Sequence, residues 1–191
     1  MKKRCPWVPL EKDFYVEYHD TEWGVPLHDD HKIFEFLTLE SAQAGLSWET
    51  ILKKRDGYRK NFKNFDPKKV AKLTEKDVER MLQDSSIIRN RAKIESAINN
   101  AKKFLEIREE FGTFDTYMWS FVGGKPIQNN IKKIEDYSAT TKESDVFAKD
   151  LKKRGFKFLG PTTVYAHMQA SGMVNDHSVD CFRRKEVQKY T

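Results

Sequence analysis

Residues 74–112, TEKDVERMLQDSSIIRNRAKIESAINNAKKFLEIREEFG, decide the fold class. Thr74, with Asp77 three residues on, has the form of a capping box ahead of TEKDVERMLQD, so a helix starts there. From Arg89 to Phe111, Ile94, Ile98, Ala101, Leu105 and Ile107 recur at helical spacing, and Gly112 supplies the stop. A brief SerSerIleIle turn separates the two. Residues 75–99 are therefore the candidate helix–hairpin–helix, an element that holds backbone phosphate without reading sequence. The turn lacks the glycines that let backbone amides approach a phosphate closely.

Outward from this stretch the signals stay helical. Asp29 and Asp30 can cap a helix carrying Ile33, Phe34, Leu37 and Ala44, with Gly45 as its stop. Ser47 reads as the cap of SWETILKKRD, closed by Gly57. A short aromatic helix is expected over 115–122, with a turn at Gly123 and Gly124. Residues 125–143 are polar and aperiodic, and read as a surface excursion with no assigned role. Ser144 reads as the cap of SDVFAKDLKKR, stopped by Gly155, and Pro161 opens PTTVYAHMQAS, stopped by Gly172. The only plausible extended piece is PheLysPheLeu at 156–159. With no repeat, linker or low-complexity tract, the expectation is a single all-α domain over 1–191.

Charge narrows the partner. Lys and Arg number 35 against 29 Asp and Glu, a net +6, with a pI near 9.1. That balance favours a polyanion. Basic groups at 53–55, at Arg89, Arg91 and Lys93, and at 152–154 lie near helix boundaries, where end amides add to phosphate binding. A solvated helix face is the competing reading of each cluster. Aromatics at 13% argue against disorder. No stretch approaches the roughly 20 apolar residues of a membrane span. The N-terminus lacks an apolar signal core, so the cytoplasm is the expected compartment and no membrane is a partner.

Four soft or borderline metal donors stand near the two ends: Cys5, His19, His177 and Cys181. His-x3-Cys at 177–181 has ordinary ligand-pair spacing and is compatible with one helical turn. Two cysteines and two histidines make a closed tetrahedral set, suited to structural zinc with no open position for water. Buried free cysteines and core histidines are also common, so spacing alone leaves both readings standing. A second constellation runs from Tyr18 to Pro26 and on to Glu40 and Trp48. Glu40 sits among Leu39, Ala42, Ala44 and Leu46, where burial of an unpaired carboxylate is costly and calls for a partner. Flat rings and an acceptor suit a purine pocket; plain core packing is the alternative.

At this point the blocks YHDTEWGVP (18–26), LESAQAGLSWETILKKR (39–55), DxxIIRNRxKI (84–94) and KKRGFKFLGPTTVYAHMQASGMVNDH (152–177) closely resemble the bacterial 3-methyladenine DNA glycosylase I family. The likeness extends from Cys5 to Cys181. It implies a divergent helix–hairpin–helix glycosylase fold whose termini, residues 5–19 and 177–181, are tied by one structural zinc on Cys5, His19, His177 and Cys181. It implies that Tyr18, Glu40 and Trp48 bind the flipped base, with Glu40 the candidate catalytic residue. It implies hydrolysis of the N-glycosidic bond of 3-methyladenine in double-stranded DNA, leaving an abasic site without strand cleavage. The expected partner is alkylated duplex DNA, with Arg89, Arg91 and Lys93 from the basic clusters as candidate contacts, and a monomer suffices for that function. Ser86 stands where the resemblance implies a hairpin glycine, which puts the backbone–phosphate contacts of that turn in question.

Overall fold

A computed structural model describes residues 2–190. The chain is mostly helical. In order run α1 (Asp13–Thr21), α2 (Asp30–Gln43), α3 (Trp48–Asn61), α4 (Pro67–Val70), α5 (Glu75–Leu82), α6 (Arg91–Phe111), α7 (Phe114–Ser120), α8 (Lys142–Lys153), α9 (Pro161–Ala170) and α10 (Phe182–Val187). Two short strands, β1 (Ile127–Gln128) and β2 (Val174–Asn175), pair in parallel. Most caps follow from sequence: Asp29 accepts from Lys32 N, Ser47 from Thr50 N, and Thr74 with Asp77 completes a capping box.

α2 is the central helix. It packs on α3, α6, α7 and α9, and nearly every residue from Ile33 to Ala42 is buried. Ile33, Phe34, Leu37 and Leu39 face a core completed by Ile51, Met81, Phe104, Phe114, Phe147 and Met168. A second buried cluster of Cys5, Val8, Tyr18, Trp23, Phe36, Ala170 and Cys181 joins the two ends of the chain. This cluster carries the site.

Several sequence expectations need correcting. Gly57 does not close α3, which continues to Asn61. A Cβ at Gly57 would lie 2.2 Å from the Ser86 carbonyl oxygen, so the glycine admits the α5–α6 turn against the helix. The turn is itself ordered by Asp84, whose side chain accepts from the Ser86 amide (2.9 Å) and from Asn61 (2.8 Å). Thus the glycine that lets this turn pack closely lies on the opposing helix. Thr141, not Ser144, caps α8; Ser144 is buried at the third helical position and its Oγ accepts from the Thr141 amide. Residues 156–159 form no strand, because Phe158 takes a left-handed φ of 56°. His177 and Cys181 lie on a loop rather than on one helical turn, with Cys181 at the N-cap of α10. Residues 125–143 are no detached excursion: they contain β1 and the buried Ile131, and they reach the site.

Candidate active site and metal centre

The three expected pocket residues come from three helices to a common cavity of about 330 Å³: Tyr18 from α1, Glu40 from α2 and Trp48 from α3. Arg55 holds these helices in register. It donates to both oxygens of Glu22 just beyond α1 (2.7 Å each) and to Glu35 on α2 (2.7 Å). Its guanidinium also lies over the Phe36 ring, which in turn contacts Tyr18. Buried charges are tolerated when paired in this way.

Glu40 is 3% exposed and makes no hydrogen bond or ion pair. Burial pushes its carboxyl up to about 8, with no charged neighbour to oppose the shift. The Trp48 indole N–H is likewise buried without a partner. Such groups are rare in folded interiors and mark a candidate binding site. The Tyr18 and Trp48 rings stand 5.5 Å apart at 51°. A base between them would need about 7–8 Å, two van der Waals separations, so they form a corner rather than a sandwich. Trp7, Tyr15, Trp23 and Tyr137 extend the aromatic wall, and Gln43 and Gln169 add amides. Tyr15 could have been found by its spacing, three residues before Tyr18 on the same helix. Tyr137 carries no local signal beyond being an aromatic in a polar stretch.

Behind that wall the four sulfur and nitrogen donors meet. All four side chains are buried, and their donor atoms lie within 4.8 Å of one another. Sulfur–nitrogen separations are 3.4 Å (Cys5–His177), 3.5 Å (Cys181–His19) and 3.6 Å (Cys181–His177). A tetrahedral ion with metal–sulfur bonds near 2.3 Å and metal–nitrogen bonds near 2.0 Å places such donors about 3.5 Å apart. The outward ring nitrogens are also accounted for: His19 Nδ1 meets Asp20 (2.7 Å), which Arg4 clamps, and His177 Nε2 meets the Trp23 carbonyl (3.0 Å). These contacts leave His19 Nε2 and His177 Nδ1 as acceptors facing the cysteines. Burial lowers the His177 pKa and so favours its neutral, ligating form. Both cysteines are free. Gly24 is required beside them: at its φ of 77° a Cβ would come 2.8 Å from His177 Nε2. The residues present therefore fit a metal ion.

The basic residues part company. Arg91 is enclosed by Glu75, Glu79 and Glu95. Lys93 donates to the carbonyls of Ala42 (2.8 Å) and Ala44 (2.6 Å), closing the C-terminal end of α2. Only Arg89 of the three is exposed and unpaired.

An aromatic corner holding one lone buried acid has the chemistry of a site for a flat ring bearing a hydrogen-bond donor. The comparisons with known proteins agree. Residues 7–184 match the family described as methyladenine glycosylase. A protein of Haemophilus influenzae named DNA-3-methyladenine glycosylase is 49% identical over 181 residues, covering 95% of this chain and 97% of its own. The crystal structure of a 3-methyladenine DNA glycosylase I superposes with a TM-score of 0.91 at 48% identity, covering 94% and 98% of the two chains. A Staphylococcus aureus enzyme, solved to explain 3-methyladenine recognition, gives 0.89 at 40% identity over 91% and 93%. The chain belongs to the methyladenine glycosylase family.

Proposed function

We propose that this protein is a DNA-3-methyladenine glycosylase of base-excision repair. It hydrolyses the bond between the deoxyribose and the alkylated base, releasing free 3-methyladenine and leaving an abasic site in an uncut strand. The observation that carries the reading is Glu40: buried, without a protein partner and facing an aromatic cavity.

The chemistry follows from the lesion. Methylation at the 3-position makes the base cationic and a good leaving group, so little acid catalysis is required. The protein meets a cost of a few kcal/mol to unstack the nucleotide, and a damaged pair costs least to open. In the cavity Glu40 accepts from the exocyclic amine, and its anionic form stabilises the positive ring. Tyr18 and Trp48 pack on that ring, where their faces attract a cation. Guanine lacks the amine donor at this edge. Binding the cation draws the Glu40 proton off, so the group that is largely neutral in the free protein ionises as the base enters. The role of Glu40 is recognition and charge stabilisation.

Zinc is the ion the Cys5, His19, His177 and Cys181 set favours, because thiolate and imidazole donors in a tetrahedron select it. Bound there, it links two segments distant in sequence and supplies folding energy rather than a reacting site. Residues 75–99, with their turn set against Gly57, are the helix–hairpin–helix through which duplex DNA is held. Arg89 is the phosphate contact of that turn, whereas Arg91 and Lys93 serve the protein's own structure. No helix among the described residues is long and apolar enough to cross a membrane.

Chromatography of bases released from methylated DNA tests the reading. The protein should release 3-methyladenine and Glu40→Gln should release far less; retained DNA binding without any release would reduce it to a damage-binding module.

A further inference from the structure

Residues 127–138 run between the metal loop and the base cavity, and they are fastened to the loop at four places. β1 pairs with β2 just before His177. Asn129 donates to Asp176 (2.6 Å). Val179, between His177 and Cys181, donates its amide to the Ile131 carbonyl (2.8 Å). Arg184 donates to the carbonyls of both Asn129 (2.6 Å) and His177 (3.0 Å). Beyond these anchors, a turn of 3-10 helix (Ile134–Asp136) brings Tyr137 and Ser138 to the cavity wall.

Tyr137 has two faces. Its ring lines the base cavity and packs on the cluster containing Cys5 and Cys181. Its hydroxyl is fully buried with no partner at hydrogen-bond geometry, and it faces the Cys5 thiol and the Trp7 indole within the buried cluster. A buried hydroxyl without a partner costs a kcal/mol or more, and the arrangement is explained if its partner is complete only when the site is loaded. A thiolate bound to a cation is a better acceptor than the thiol of an empty site.

We propose that Tyr137 is a positioning residue that donates its O–H to the Cys5 thiolate of the metal-loaded site, so that loading fixes the wall of the base cavity. The inference rests on the metal reading above. Groups that hydrogen-bond a metal ligand orient it, and their loss costs about 10–100-fold in metal affinity. A tyrosine that merely fills space would be replaced by phenylalanine at no cost to the metal.

Cobalt(II) titration of the metal-stripped protein and of Tyr137→Phe, followed by the sulfur-to-cobalt charge-transfer band, decides the matter. The band comes only from folded, loaded protein, so a reduced yield does not obscure it. The expected result is a shifted band in Tyr137→Phe and a cobalt affinity lower by about tenfold. An unchanged band and affinity overturn the role of Tyr137 while leaving the metal site intact. A parent protein that binds no cobalt overturns both readings.

Discussion

The metal cluster and the base cavity share one set of aromatic walls and are treated in opposite ways by the hydrogen-bonding of the protein. In the cluster the histidines are braced: His19 by Asp20 and Arg4, His177 by the Trp23 carbonyl, and Cys5 receives the Ser178 amide at 3.4 Å. In the cavity the central acid has no partner at all. Satisfied polar groups rigidify a buried region, whereas an unsatisfied one stores a cost that a ligand can relieve. On the proposed reading, the first region holds the chain together and the second is completed by substrate. Stability and activity should therefore separate by mutation.

The largest expected effect is on the cluster. Cys181→Ala should lower Tm by ten degrees or more and abolish stoichiometric metal by elemental analysis, since structural zinc contributes folding energy directly. Equal Tm with no metal bound would erase the contrast. Breaking the helix register comes next. Arg55→Met strips Glu22 of its partner and leaves Glu35 to Lys32 and Arg59; breaking a fully buried ion pair costs about 3–5 kcal/mol, so denaturant unfolding should show a loss below that, together with weaker base binding.

A smaller effect distinguishes the cavity by pH. The folded Glu40 carboxyl ionises near 8, against an ordinary 4.5. The folded state thus keeps a proton that the unfolded chain has lost between those values, and stability falls as pH rises through that window. Glu40→Gln removes this slope, so its Tm should gain on the parent's as pH rises from 4.5 to 8 and keep that gain above it. In the parent, kcat/KM should rise with pH towards 8, and the rising limb should vanish in the variant. The smallest effect lies at the DNA surface. Arg89→Ala should weaken duplex binding a few-fold and reduce its salt slope by about one. Arg91→Ala should change that slope less, because its charge is already met by three glutamates.

Much of the fold was legible because helix ends are local chemistry. Asp29, Ser47, Thr74, Gly112 and Pro161 act where their side chains or φ preferences place them. What failed was set by distant contacts. Gly57 looks like a stop, yet it sits inside α3 because Ser86 approaches from 29 residues away. The strand pairing of 127–128 with 174–175 has no periodicity to betray it. Tyr18, Glu40 and Trp48 do meet at one cavity and the four metal donors do converge, but no spacing rule would have joined Cys5 to His177. Arg91 and Lys93 show the same dependence: a charge's partner is a matter of tertiary structure, and both have internal ones.

The central claim is that one lone buried acid recognises the base. Isothermal titration of free 3-methyladenine into the parent and Glu40→Gln proteins at pH 8 tests it. The account predicts at least tenfold weaker binding in the variant, about 1.4 kcal/mol or more, with Tm no lower than the parent's. Equal dissociation constants would contradict it.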